Sequence, residues 1–257
     1  MTDYQTILSN LAAEQTATIA RHQLVDGQTV WVRKVGKTIS PWRYKALGWI
    51  ADSFHLGVLQ PVPNPGGAAA LATEVGRLKA LEAAHVHAPR LLAEQSDAIM
   101  FSHLGETTLL SEVENAADQL SVWAEGLSAI AHVHRQQQYL SQSFARNMIR
   151  SPDGRIGFID FEDDPGQYMP LLLCQTRDYL CYLQSTTMWI RRKAPLDQAA
   201  RIWQQHLATL PSDLQQSLVQ TTTQARWLRH LKYQWMGNDT LRLCALGELF
   251  YLANLPN

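Results

Sequence analysis

The stretch Asn147-Met-Ile-Arg-Ser-Pro-Asp-Gly-Arg-Ile-Gly-Phe-Ile-Asp160-Phe-Glu-Asp-Asp164 carries the strongest structural signal in the chain. Two short apolar runs flank its Ser-Pro-Asp-Gly segment, which is typical of a β-hairpin. A two-residue turn centred on Asp153 and Gly154 would pair positions whose numbers sum to 307. Asn147 and Asp160 are therefore predicted to face each other at the open end of the hairpin, which brings an amide and a carboxylate together.

Asp160 also opens a dense acidic run that continues through Glu162 to Asp164, directly after an apolar strand. Oxygen ligands at a strand end suit Mg²⁺, which typically keeps several waters and takes one or two carboxylates plus substrate phosphates. Asn147, Asp160 and Glu162 are the candidate metal ligands. A solvated acidic turn is the ordinary alternative, because most charge runs lie in water. The pairing predicted for the hairpin favours the metal site.

Working outward, residues 16–24 and 29–35 are predicted to form two strands joined at Asp26-Gly27, and Lys34 ends the second strand. A loop rich in proline and glycine follows at residues 60–67, and a helix is expected from about residue 68 to residue 84.

The apolar stripe of this helix places Glu74 on or beside its inward face. A buried carboxylate needs a cation, because an unpaired buried charge costs several kcal/mol. Lys34 is an available partner. The alternative is that Glu74 lies at the edge of the stripe and reaches water.

The rest of the chain turns from strands to helices. Strands are predicted at residues 90–93 and 98–102, a connector at 103–105 and a helix at 121–137. From residue 170 onward, helical runs are broken near Pro195, Pro211 and Gly237. This order predicts an α+β, bilobal fold with a small antiparallel sheet and a helix in an N-lobe, residues 1–105, and a mainly helical C-lobe, residues 106–257.

Composition narrows the classes of function. The chain has 257 residues, 22 basic and 23 acidic side chains and a formal net charge of −1, which argues against a dedicated nucleic-acid binder. Its three cysteines form no C-x-x-C pair, which favours a reducing, cytoplasmic environment. The N-terminus carries no apolar run of signal-peptide length, and no segment has the roughly 18 apolar residues of a membrane span.

Taken together, residues 16–178 resemble the protein-kinase-like superfamily. Within it they are similar to bacterial atypical small kinases, such as the lipopolysaccharide core sugar kinases and the small kinase of the KEOPS tRNA-modification complex. The matching elements are a strand lysine, a helix glutamate, a connector, a long helix, an asparagine and an Asp-Phe-Glu motif, namely Val-Trp-Val-Arg-Lys34, Glu74, residues 103–105, the helix ending at His134, Asn147 and Asp160-Phe-Glu162.

The resemblance implies an ATP-dependent phosphotransferase that acts on a hydroxyl of an unidentified acceptor, such as a glycan or lipid-linked sugar, a small molecule or a protein. Lys34 would hold the ATP phosphates and pair with Glu74, while Asn147 and Asp160 would hold Mg²⁺. Backbone groups of His103, Leu104 and Gly105 would meet the adenine. Asp178 would steady the catalytic loop.

The sequence departs from this family at two places. Gly27 is the one glycine before Lys34, so the family's glycine-rich phosphate loop has no counterpart there. Gln142 stands five positions before Asn147, where the family carries its catalytic aspartate. Phosphoryl transfer depends mostly on positioning and electrostatics, so Gln142 could still orient a hydroxyl. A pseudokinase, meaning a non-catalytic nucleotide-binding or scaffold module, is the alternative interpretation.

Two further features keep several interpretations open. Arg146 could neutralise charge on the transferred group, or it could be a surface arginine or the partner of the acidic run. The basic, aromatic residues 41–56 could be an insertion packed on the first lobe, an interfacial helix that contacts the inner membrane face, or a tRNA-contacting patch. The packed insertion is the favoured interpretation.

Overall fold

The structure is a computed structural model, and it describes residues 3–36, 62–63, 66–231 and 238–255. Its elements are helices and two small antiparallel sheets, so the predicted α+β class is confirmed. The basic, aromatic residues 41–56 lie outside the described residues, and the interpretations of that stretch stay predictions. The boundary near residue 105 also stays a prediction, because one apolar core runs from the sheet half into the helical half.

The first sheet has four antiparallel strands in the order β1-β2-β4-β3. They are β1 (Ile19–Gln23), β2 (Thr29–Lys34), β3 (Leu91–Glu94) and β4 (Ala98–Ser102), close to the predicted spans. Gly27 turns the first hairpin with a φ of 83°, a conformation that glycine adopts without a steric penalty. In β2 at the centre of the sheet, Val32 lies opposite both Ala20 and Met100.

A different helix packs on each face of this sheet. Helix α1 (Tyr4–Glu14), which the sequence analysis did not predict, starts at an Asp3 cap and buries Leu8 against Val30 and Val32. Helix α2 (Gly67–Ala83) contacts β3 and β4 and buries its stripe with Ile99 and Phe101. Side chains of a strand alternate between faces, so neighbours along β2 belong to different cores.

The second half is mainly helical, as predicted. Its helices are α3 (Leu109–Asn115), α4 (Gln119–Arg135), α5 (Leu171–Lys193), α6 (Leu196–Leu207), α7 (Ser212–Ala225) and α8 (Asn238–Ala253). Pro195 and Pro211 stand directly before α6 and α7, which confirms two of the predicted breaks. Gly237 lies outside the described residues. Within the described ranges, no helix has both the length and the apolar character needed to cross a membrane.

The second sheet holds the predicted hairpin. Its strands are β5 (Thr107–Thr108), β6 (Met148–Arg150) and β7 (Ile156–Phe158), in the order β5-β6-β7. Met148 pairs with Phe158, so paired positions sum to 306 and the predicted register was wrong by one. The reason is the turn, in which Ser151 donates to the carbonyl of Arg155 across three loop residues, with Gly154 at a φ of 83°.

Candidate functional site

A cleft of about 500 Å³ lies between the first sheet and the hairpin of the second. It is lined by β2, α2, the connector after β4 and the segment that follows β7. Predicted site residues that line it are Glu74, His103, Leu104, Gly105, Asn147, Asp160 and Glu162. The fold thus brings together side chains that are far apart in sequence.

Glu74 is buried and paired, as one of its two interpretations required, but its partner is not Lys34. Nη1 of Arg33 donates to Oε2 of Glu74 at 2.9 Å, and the Glu74 side chain is 5% exposed. The predicted pairing of Lys34 with Glu74 was wrong, because adjacent residues of a strand point to opposite faces. Nζ of Lys34 instead donates to the carbonyls of Ala12 and Gln15, 2.7 and 2.9 Å away at the end of α1.

The guanidinium of Arg33 also contacts the carboxylate of Glu162, so it bridges α2 and the segment after β7. Burial raises the pKa of Glu74 to about 7 even though the charge of Arg33 opposes the shift. Glu162 and Asp160 add to the rise because their negative charges lie nearby. This end of the cleft is therefore acidic around a cation.

Asn147 and Asp160 meet although the register differs from the predicted one. Nδ2 of Asn147 lies 3.2 Å from Oδ2 of Asp160 and 3.0 Å from the carbonyl of Gln142. Asp160 has a φ of 73°, an uncommon conformation for a residue other than glycine and one that clusters at functional sites. Burial raises the pKa of Asp160, and the charge of Glu162 raises it further.

The oxygen atoms of Asn147 and Asp160 are of the kind that Mg²⁺ prefers as ligands. In the part of the chain that the structure describes, no cluster of three or more His, Cys, Asp and Glu side chains could hold a metal ion. Asn147 and Asp160 offer an amide oxygen and a carboxylate, and Mg²⁺ commonly completes such a partial set with waters and phosphates. A cation would also offset the charge that raises the pKa of Asp160. Glu162, the third predicted ligand, contacts Arg33.

Asp178 of α5 holds the loop before Asn147, residues 139–146, through hydrogen bonds. Oδ2 of Asp178 accepts from the backbone N–H of Leu140 at 2.8 Å and lies 2.9 Å from Nε2 of His134. Ser143 donates its hydroxyl to the backbone carbonyl of Asp178 at 2.6 Å. Asp178 is buried, and burial raises its pKa. Asp178 thus contacts the loop that it was predicted to steady.

The other two predicted residues of this loop lie near the acidic run. Nε2 of Gln142 donates to Oδ2 of Asp163 at 2.8 Å. Arg146 is exposed, with its guanidinium carbon 4.5 Å from the centroid of the Phe144 ring. Its positive charge lowers the pKa of Asp160, although burial outweighs that effect.

The connector after β4 is held to the sheet and to the hairpin. Nε1 of Trp31 donates to Nδ1 of His103 at 3.1 Å, and the backbone N–H of His103 donates to the carbonyl of Thr29 at 3.3 Å. A Cβ atom at Gly105 would lie 2.5 Å from the carbonyl oxygen of Arg150. Glycine is therefore required here for close approach to β6.

A second link joins α2 to the loop, and it was not predicted from the sequence. Arg77 is buried, donates to the carbonyl of Tyr139 at 2.7 Å and lies 3.9 Å from the centroid of the Tyr139 ring. The Tyr139 hydroxyl contacts the carboxylate of Asp164 in the acidic run. Helical spacing was the available signal, because Arg77 follows Glu74 by three residues and shares its face.

Comparisons with known proteins give little beyond the geometry. No protein-family model matches the chain, and no curated protein matches it. Among solved structures, the chain is similar to WbdD in a co-crystal with the kinase inhibitor LY294002, at 15% sequence identity and a TM-score of 0.38. The match covers 95% of this chain and 45% of that chain, so the chain spans less than half the length of WbdD.

Proposed function

We propose that the protein binds Mg-ATP in the cleft and transfers the γ-phosphate to a hydroxyl of an acceptor. The observation that carries the proposal is the pair formed by Asn147 and Asp160, 3.2 Å apart and lining the same cleft as the ion pair of Arg33 and Glu74. Asn147 and Asp160 each carry an oxygen that can bind a metal, and such a pair beside a held guanidinium is suited to a metal-bound phosphate chain.

Each side chain has a separate task in this proposal. Arg33 takes the role that the family resemblance assigned to Lys34. Its planar donors bind phosphate oxygens, and Glu74 orients the guanidinium. Asn147 and Asp160 hold Mg²⁺, which supplies charge neutralisation at the phosphates. Backbone groups of the connector at residues 103–105 line the adenine end.

In this proposal the acceptor binds beside the loop whose position Asp178 fixes. Gln142 orients the hydroxyl, and its own position is set by the hydrogen bond to Asp163. Arg146 is exposed beside this loop and lies close enough for its charge to act on Asp160. Fixing these groups before the acceptor arrives favours transfer, because positioning supplies much of the catalysis in phosphoryl transfer.

A specific observation favours the second candidate, a pseudokinase that binds nucleotide without transferring phosphate. Gln142 stands where the family's aspartate would accept the hydroxyl proton, and a neutral amide does not act as a general base. In that case the cleft serves as a nucleotide-dependent switch or scaffold.

Isothermal titration calorimetry with Mg-ATP tests the first step. We expect saturable binding to the wild-type chain and at least a tenfold weaker affinity for Asp160→Asn and Arg33→Met. Lys34→Met is the matched control, because it removes the neighbouring cation from the opposite face of the same strand. Absence of binding to the wild type, or equal losses for Arg33→Met and Lys34→Met, would contradict the proposal.

Transfer is tested separately with ATP labelled at the γ-phosphate and three acceptor classes, namely free and lipid-linked glycans, small alcohols and proteins. Label in an acceptor that depends on Asp160 supports the phosphotransferase. Tight binding of Mg-ATP without transfer to any class supports the pseudokinase. Gln142→Asp then provides a sharper comparison, because it supplies the carboxylate that this position lacks.

A further inference from the structure

Among the described residues, carboxylates outnumber cations at the inner end of the cleft. Nη1 of Arg33 contacts the carboxylates of both Glu74 and Glu162. Asp160 is also close, because its charge contributes to the raised pKa of Arg33. A nucleotide phosphate that approaches this guanidinium meets negative charge that is already bound to it.

The two carboxylates on Arg33 are held to different degrees. The Glu74 side chain is 5% exposed and belongs to the middle of helix α2. The Glu162 side chain is 31% exposed and belongs to the irregular segment after β7. The Glu162 carboxylate regains hydration when it leaves Arg33, whereas Glu74 would remain a buried charge without its partner.

We propose that Glu162 acts as an internal competitor for the phosphate position: its carboxylate contacts Arg33 and is displaced when a phosphate binds. The proposal rests on the proposed nucleotide function and deepens it. Glu74 stays in place and keeps Arg33 oriented in both states. The apparent affinity for a phosphate ligand is then reduced by the fraction of molecules in which Glu162 is bound to Arg33.

The surroundings of Glu162 provide room for this exchange. Arg33 and Glu162 line the main cleft, and both also line an adjacent cavity of about 110 Å³ beside the start of α2. The ion pair therefore lies at the boundary between the two spaces. Glu74 lines the main cleft but is not among the residues that line the smaller cavity, so we expect Glu162 to turn into the smaller cavity while Glu74 stays in place.

Calorimetry in the presence of EDTA tests the competition without the metal that Glu162 was predicted to bind. The probes are ATP, tripolyphosphate and adenosine, measured on the wild type and on Glu162→Gln. We expect Glu162→Gln to bind ATP and tripolyphosphate about tenfold more tightly than the wild type. Adenosine affinity should not change, because adenosine carries no phosphate.

Two further variants separate competition from a general effect of charge. Glu106→Gln removes an acidic side chain from the same cleft, where it contacts Arg21 and His103 instead of Arg33. It should change ATP affinity by less than about twofold. Glu162→Asp keeps the charge on a shorter side chain, so it should bind ATP more tightly than the wild type does. Circular dichroism and thermal unfolding verify that each variant is folded.

The outcomes are distinguishable. Equal ATP affinity for the wild type and Glu162→Gln, or an equal gain for Glu106→Gln, overturns the competition and leaves the nucleotide function standing. Tighter tripolyphosphate binding by Glu162→Gln without any adenosine or ATP preference supports the competition and overturns the nucleotide function. Failure of all three probes to bind any variant overturns both.

Discussion

The two faces of the first sheet use the same strand for different purposes. On the α1 face, Leu8, Val30 and Val32 are fully buried in a small apolar core, and Lys34 lies at the edge of this face. On the cleft face, Trp31 and Arg33 line a cavity with acidic side chains. Two cations that are adjacent in sequence thus have different partners, because their side chains leave the strand on opposite sides, although both line the small cavity beside the start of α2.

The chemistry of each cation suits its face. Lys34 donates to carbonyls at the C-terminal end of α1, where a helix leaves backbone acceptors without partners and the helix dipole is negative. Arg33 contacts two carboxylates, which its planar set of donors allows. Substitutions on the two faces should therefore separate helix packing from ligand binding.

The largest expected effect is on the cleft face. Arg33→Met leaves Glu74 buried without a cation, so we expect a loss of about 3 kcal/mol in the free energy of unfolding near pH 8. Urea denaturation measures it. The double variant Arg33→Met/Glu74→Leu should recover most of the loss, because it removes the unpaired charge. No recovery would mean that Arg33 stabilises the fold through packing instead of through the ion pair.

The pH dependence of stability is the second test of the cleft face. Burial raises the pKa of Glu74 in the folded protein to about 7 from an ordinary value of 4.5. Between these values the folded state holds a proton that the unfolded state has released, so Glu74 favours folding below about pH 4.5 and loses that contribution as pH rises through 7.

Urea denaturation of the wild type and Glu74→Gln at pH 5 and pH 8 measures this contribution. We expect the wild type to lose about 2–3 kcal/mol more than the variant over that interval. Raised pKa values of Asp160 and Asp178 act in the same direction in both proteins, so the difference isolates Glu74. Lys34→Met should keep the wild-type slope. Equal slopes for wild type and Glu74→Gln would show that Glu74 does not titrate in this range.

Local patterns in the sequence predicted much of this architecture. Some features depend only on residues that are neighbours in sequence: the two hairpins, the apolar stripe of α2 and the helix breaks at Pro195 and Pro211. The structure confirmed that each of them exists. Helical spacing placed Glu74 on or beside the buried stripe, and the structure shows the buried one of the two interpretations that the spacing left open. Asn147 contacts Asp160 as predicted, although the predicted register was wrong by one. The reason is that Asp160 lies beyond the paired part of β7, where its left-handed backbone conformation changes the direction of the chain.

The choice between Arg33 and Lys34 could not be made from the strand alone. The alternation of side chains along a strand places Lys34 on the same face as Val30 and Val32. It does not show which face lines the cleft, because that depends on α1, which covers the face of Val30 and Val32. That information is tertiary. Helical spacing could have placed Arg77 on the face of Glu74, but its contact with Tyr139, 62 positions away, is tertiary information of the same kind.

A smaller effect is expected on the α1 face. Lys34→Met removes two hydrogen bonds to the end of α1, and we expect a loss of about 1–2 kcal/mol in the free energy of unfolding. Mg-ATP affinity should remain within about twofold of the wild type, because Lys34 has no contact with the cleft carboxylates in the described structure. Denaturation and calorimetry on the same preparation measure both. A tenfold loss of affinity with unchanged stability would reverse the assignment of the two cations.

The smallest effect is expected at Trp31, which lies on the cleft face two positions before Arg33. Trp31→Phe keeps most of the apolar contact but removes the hydrogen bond from Nε1 to Nδ1 of His103, so it should cost about 0.5–1.5 kcal/mol. The connector would lose one of its attachments to the sheet, and we expect adenosine to bind up to about threefold more weakly. Trp189→Phe is the control, since Trp189 of α5 packs against Arg192 away from the cleft. If both variants change adenosine affinity equally, the effect of Trp31→Phe is general to the fold, and the position of the connector does not set adenosine affinity.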